Sequence, residues 1–242
     1  MGDRWSILID IEGFSALWGR EDRVLWSLGE LMRAIFRVGC FCYPREPDRL
    51  FAHQLGDGFL IASDLHEESL DRCAAIAVAL MRHVAHSGRL AKCAIAEGEL
   101  SDIQSCYPDE VLAARDSDRR VSLNKGLMTI FPVMGTALIR AVSTAKVSPK
   151  GPLVTVHAAK RARLSGPVPC QPILGSQLIS IDWVHMSSGT LQSIQDTASL
   201  AAPSPAALEY FLDRYCAEHE VPAEWTENVR TFLHVPRGSG ST

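Results

Sequence analysis

From Trp5 to Val156 the chain switches repeatedly between two hydrophobic periods, and this constrains its fold more than any other feature. The segment Trp5-Ser-Ile-Leu-Ile-Asp10-Ile11 is short and rich in β-branched residues, as a buried strand requires, and it stops at Glu12-Gly13. Val24, Leu28, Leu31, Met32, Ile35 and Phe36 then recur at three- and four-residue spacing, predicting a helix that ends at Tyr43-Pro44. Two apolar runs, Arg49 to Leu55 and Gly58 to Ser63, meet at Gly56-Asp57-Gly58, a hairpin signal because Asp-Gly tolerates positive φ. Leu70 to Val84 carries the next helical stripe, closed by Ser87-Gly88, and Leu90 to Glu97 the next strand. Leu127 to Phe131 and Leu153 to Val156 read as strands, with a helix from Gly135 to Ala145 between them. Such alternation predicts an α/β domain.

The remaining segments are read more coarsely. Ser101 to Lys125 is charged and irregular, and is expected to be a surface loop or short helix. Lys160, Arg161 and Arg163 mark a basic helical piece, and Gln177 to Trp183 is strand-like. The Ser/Thr/Gln-rich stretch Ser187 to Ser199 reads as a connector. Beyond it Ser204-Pro205 starts a helix bearing Leu208, Phe211, Leu212 and Tyr215, and Trp225, Val229, Phe232 and Leu233 form a second stripe. The expected organisation is a main α/β domain over residues 1–186, a helical appendage over 187–236 and a disordered tail over 237–242. Trp26 and Met32 are assigned to the core, and His83 and His86 are read as partly exposed helix residues.

Composition excludes several classes. With 24 Lys and Arg against 28 Asp and Glu the net charge is −4, so no cationic field exists to hold a nucleic acid. No apolar run approaches a membrane span, and the seven scattered cysteines imply no disulfide framework, so a cytoplasmic protein is expected. There is no Walker loop, no G-x-S-x-G and no H-E-x-x-H.

Two carboxylates carry the chemistry. Asp10 closes the first strand, and Asp57 stands at the turn of the hairpin. Singly, one is a helix cap and the other a turn residue. In a ferredoxin-like sheet the three strands lie side by side, which brings both carboxylates to one edge as oxygen ligands for Mg²⁺ or Mn²⁺. The turn after Asp10, with Gly13, Phe14 and Ser15, offers backbone N–H groups to phosphate oxygens.

Asp10-Ile-Glu-Gly-Phe-Ser15 followed by Leu55-Gly-Asp57-Gly-Phe59 resembles the paired metal motifs of the class III nucleotidyl cyclases, over residues 5 to about 160. The resemblance implies a ferredoxin-like cyclase fold, a central mostly antiparallel sheet with helices, here extended by C-terminal helices. It implies two metal ions per site on Asp10, Asp57 and the Ile11 carbonyl, and a homodimer with composite active sites. The family's purine-reading lysine and aspartate correspond to His53 and Pro132, and its transition-state asparagine and arginine to Ile139 and Ser143. Arg140 is one residue from the first of these, a turn of about 100° on a helix. These departures, together with Met128 to Leu138, resemble the pyrimidine cyclases of bacterial Pycsar anti-phage systems. That narrower likeness implies cyclisation of UTP, in preference to CTP, to a messenger read by a separate cyclic-nucleotide effector. His53 is then the candidate near the base, and Arg115, Arg119, Arg120 and Lys125 are either triphosphate contacts or a solvated face. The alternatives are an ATP or GTP cyclase of the same fold, a polymerase-palm or diguanylate-cyclase relative, and a catalytically silent dimeric nucleotide sensor. The palm reading is disfavoured because Gly58-Phe59, not a second acid, follows Asp57.

Overall fold

The computed structural model describes residues 3–14, 22–46, 48–116, 120–130 and 133–235. The proposed phosphate residue Ser15, the base-reading position Pro132, Phe131, Arg119 and the tail over 237–242 lie outside the described residues.

A seven-stranded sheet organises the chain, in the order β10-β11-β9-β4-β1-β3-β2. Its strands are β1 (Arg4–Ile11), β2 (Leu50–Leu55), β3 (Gly58–Ser63), β4 (Ala91–Gly98), β9 (Val154–His157), β10 (Cys170–Pro172) and β11 (Leu178–Ile181). Only the β4 and β9 pair is parallel; the other neighbours run antiparallel. Two minor strands and a hairpin lie off this sheet: β5 (Ser101–Asp102) pairs with β8 (Val133–Met134), and β6 (Arg120–Leu123) with β7 (Gly126–Thr129). The charged stretch expected to be a surface loop or short helix holds a short α3 (Asp109–Ala113), and in addition β5 and the first arm of a hairpin. Polar residues there alternate with Val121, which is buried, so too few apolar positions marked the strand.

The two faces of β1 are chemically distinct because successive side chains alternate. Trp5, Ile7, Ile9 and Ile11 are buried in the main core beneath α1 (Asp22–Arg37) and α2 (Asp71–His86). Ser6, Leu8 and Asp10 face the other way, where α4 (Thr136–Val147) covers part of the sheet; the Ser6 hydroxyl donates to the Ala137 carbonyl at 3.2 Å. Gly135, which starts α4, has φ +147°, and a Cβ there would come within 2.0 Å of the Glu99 carbonyl oxygen. Only glycine permits this junction.

From Cys73 to Ala85, α2 is buried on every side. A helix that is apolar all round needs cover beyond the sheet, and here α5 (Gly189–Thr197) and α6 (Pro205–Glu218) supply it. The segment expected as a connector is thus a helix, started by the Ser188 side chain, which accepts from the Leu191 N–H. Its Leu191 and Ile194 are core residues, but polar neighbours hid their period. The last helix, α7 (Ala223–Leu233), buries Trp225, Val229, Phe232 and Leu233 in the same core. Two further expectations are corrected. Trp26 and Met32 are exposed, at 54% and 44%, because α1 has an apolar rim wider than its buried stripe of Leu31 and Ala34. His83 is buried, its Nδ1 accepting the Ala201 N–H at 3.0 Å and its Nε2 lying 3.4 Å from Glu30. Among the described residues no helix is long and apolar enough to cross a membrane.

Candidate active site

Strand register brings Asp10 and Asp57 together. Asp10 lies opposite Gly58 on β3, so Asp57, at the two-residue turn joining β2 and β3, stands beside it. Directly opposite residues of antiparallel strands have Cα atoms about 4.5–5.5 Å apart. The approach depends on Gly58, where a Cβ would meet the Ile9 carbonyl oxygen at 2.6 Å and the Asp10 Cβ at 2.9 Å. Gly56 takes φ +64°, which lets the turn close in two residues.

This pairing has an electrostatic signature. Burial, then the charge of Asp57, then Glu12 push the Asp10 carboxyl from 3.8 up to about 7, while Lys92, opposite on β4, pulls the other way. A carboxylate that burial and two other acids disfavour becomes comfortable when a cation is placed against it, so the donor set fits a divalent ion. Hard oxygen ligands on one strand end and one turn are what Mg²⁺ or Mn²⁺ takes. Ile11 is 2% exposed, which leaves its backbone as the group available to a ligand. Gly13 is exposed with φ +74°, and the Phe14 side chain packs on the core. Phosphate contact from these two is therefore a matter of their N–H groups.

The other candidates fall at defined places on the same face. His53 pairs with Leu60, which pairs in turn with Leu8, so His53 lies two strands across and one side-chain repeat along from Asp10. That is about 10 Å by about 7 Å, comparable to the reach of a nucleotide. It lines a cleft of about 450 Å³ with Arg4, Phe51, Asp64, Ser101, Asp102 and Val133, among others. Val133, next in sequence to Pro132, lines the same cleft as His53. Arg140, by contrast, contacts the Glu97 carbonyl at 2.8 Å and lies 3.9 Å from Asp3, at the opposite end of β1 from Asp10. Seven residues of strand separate those ends by about 23 Å, so a single chain does not bring Arg140 to the acidic pair. Ile139 is exposed, and Ser143 shares with Arg140 a second cleft of about 540 Å³. Arg115 is bonded to Gln104 and Arg120 to Asp116, so these loop cations are engaged locally.

No protein-family profile matches the sequence, and no curated protein is recognisably similar to it. Structural similarity is informative. The guanylyl cyclase domain of the RhoGC fusion protein from the aquatic fungus Blastocladiella emersonii, solved as a monomeric double mutant, superimposes with a TM-score of 0.50 at 11% identity, over 74% of this chain and 93% of that one. A dimeric form of that domain gives a TM-score of 0.50 at 11% identity, over 74% and 92%. The fold is that of a class III nucleotidyl cyclase domain. Within this cyclase fold two groups were missed by sequence reasoning. Lys92 was legible once the β1 and β4 register was known. Glu12, whose Oε1 accepts from the Trp225 indole at 3.2 Å and the Gly151 N–H at 3.3 Å, has partners too distant in sequence for any local pattern to reveal.

Proposed function

We propose that the protein is a homodimeric, metal-dependent nucleotidyl cyclase that converts a pyrimidine nucleoside triphosphate, UTP in preference to CTP, to its 3′,5′-cyclic monophosphate and pyrophosphate. The observation that carries this reading is the convergence of Asp10 and Asp57 through Gly58 on a class III cyclase fold. Asp10, Asp57 and the Ile11 carbonyl hold two Mg²⁺ or Mn²⁺ ions, and backbone N–H groups around Gly13, Phe14 and Ser15 bind triphosphate oxygens. When bound, the ions acidify the ribose 3′-hydroxyl and neutralise charge on the α-phosphate and the departing pyrophosphate. Asp10, whose carboxyl its surroundings push up to about 7, would be held in its charged form by a bound cation.

His53 supports the base assignment. A lysine that reads a purine is replaced by an imidazole that can donate to a uracil carbonyl or accept from a cytosine amine, according to tautomer. Leu123, Leu127, Met134 and Ile139 are exposed apolar side chains on the β6–β7 hairpin, β8 and α4, and a second copy would cover them. The dimer also answers the separation of Arg140 from Asp10, since Arg140 would serve the partner's site. The cyclic product would act in the cytoplasm as a messenger in anti-phage defence, read by a separate effector. This role rests on the Pycsar resemblance.

The test is incubation of purified protein with ATP, GTP, CTP and UTP in Mn²⁺, with mass-spectrometric identification of products beside Asp57→Asn. Cyclic UMP or cyclic CMP, lost in the variant, is the expected result. Product from ATP or GTP alone keeps the cyclase and removes the pyrimidine assignment. Absence of cyclic product favours the second reading, a silent nucleotide sensor, which the side chains of Ile139 and Ser143 at the transition-state positions support.

A further inference from the structure

Beyond the end of β11, three side chains from two distant parts of the chain converge. Asp182 follows β11, His185 lies three residues on, and His234 ends α7. The Nδ1 atoms of both histidines sit 2.9 Å from one oxygen of Asp182, Oδ2, and the three ligand atoms lie within 4.8 Å of one another. The Asp182 side chain is 4% exposed, and its other oxygen is fixed by the N–H groups of Val184 at 3.1 Å and His185 at 3.2 Å. His234 adopts a left-handed backbone conformation, φ 51°, which a non-glycine residue holds only when its surroundings require it.

The outer nitrogens are braced as well. His185 Nε2 lies 2.7 Å from Glu209 Oε1 on α6, and His234 Nε2 meets the side-chain amide of Gln171 on β10, whose two ends are interchangeable by rotation. Ligating imidazoles usually donate their second N–H to a carboxylate or carbonyl, which fixes the tautomer that leaves the other nitrogen free to bind. Here both histidines present Nδ1 inward and have such a partner outside.

From this we infer a zinc site formed by Asp182 Oδ2, His185 Nδ1 and His234 Nδ1, with Glu209 and Gln171 orienting the imidazoles. Two nitrogens and one carboxylate oxygen suit a borderline ion. Bond lengths of about 2.0–2.1 Å place tetrahedral ligands about 3.3 Å apart, so the cluster opens by a few tenths of an ångström to admit the ion. The side chain of His234 is 54% exposed, which provides an entry path and room for a water as fourth ligand. The ion ties the β10–β11 hairpin to α6 and to the end of α7. The site is independent of the acidic pair of Asp10 and Asp57.

The experiment is titration of chelator-treated full-length protein with Zn²⁺ in excess Mg²⁺, followed by calorimetry and by metal analysis after desalting. One zinc per chain is expected, retained in Asp57→Asn and lost in His234→Ala, a variant at an exposed position. Asp182→Asn, which preserves the bonds to Val184 and His185, also loses it, and Glu209→Gln weakens it roughly 10–100-fold. Zinc raises the thermal midpoint of the wild type and not of His234→Ala. Cobalt substitution gives visible bands without thiolate charge transfer. Absence of zinc uptake, uptake unchanged in His234→Ala, or a thiolate band would each overturn the assignment. A purely hydrogen-bonded cluster is the outcome in which wild type and His234→Ala respond alike.

Discussion

At the scale of single residues, the site depends on an Asp10 that burial and its acidic neighbours disfavour. Its carboxyl binds a proton more tightly in the folded chain than in the unfolded one, so the fold loses stability as pH climbs from 3.8 to about 7. Asp10→Asn removes that cost. In chelator at pH 8 the variant is expected to melt higher than wild type, about 2–4 °C for each kcal/mol recovered, while losing both cyclase activity and the stabilisation given by Mn²⁺. Differential scanning fluorimetry with and without Mn²⁺ measures both effects, and a lower midpoint in chelator would contradict the account. Gly58→Ala acts oppositely. Its added methyl has 2.6 Å of room against the Ile9 carbonyl, so it is expected to cost about 1–3 kcal/mol and to abolish activity by pushing Asp57 away. Denaturant melts and product assays on that variant check both parts.

At the scale of elements, the strands and helices that pack in one direction were legible. The period-two run of β1, the Gly-Asp-Gly hairpin and the Ser204-Pro205 helix start each carried their own local signal. What failed was burial that depends on a distant partner. Trp26 and Met32 matched a core stripe and are exposed because none of the described residues covers that edge of α1, while His83 is buried because the chain between α5 and α6 crosses it. In the site, Asp10 and Asp57 were readable since each punctuates a strand, but the positions of Arg140 and Glu12 follow from register and tertiary packing. His83 supplies a test of that packing. Burial holds its imidazole below the ordinary 6.5, with Glu30 opposing and Arg37 and His86 adding to the depression, and its Nδ1 accepts the Ala201 N–H. The stability it contributes is present above pH 6.5 and is lost as pH falls through the depressed value. Thermal midpoints of wild type are therefore expected to fall on acidification below pH 6.5, and His83→Gln, which can still accept from Ala201, to flatten that limb. Identical slopes would refute the assignment.

For the molecule as a whole, the proposed role of Arg140 requires a second chain, because Arg140 lies at the opposite end of β1 from Asp10. If the sites are composite, inactive Asp57→Asn and inactive Arg140→Ala proteins are expected to regain partial activity when mixed, because one of the two sites in each heterodimer is intact. Failure of the mixture, with heterodimers verified by native mass spectrometry, would remove Arg140 from the site. Introducing a charge at Leu127, 57% exposed on the hairpin, is expected to yield a folded monomer without activity, as light scattering would report.

The indole of Trp225 holds Glu12, two positions from Asp10, so the last described helix reaches into the loop of the proposed metal site. A chain cut before Ala223 would lose that hold together with the core residues Trp225, Val229, Phe232 and Leu233, so the fold and the proposed site would fail together.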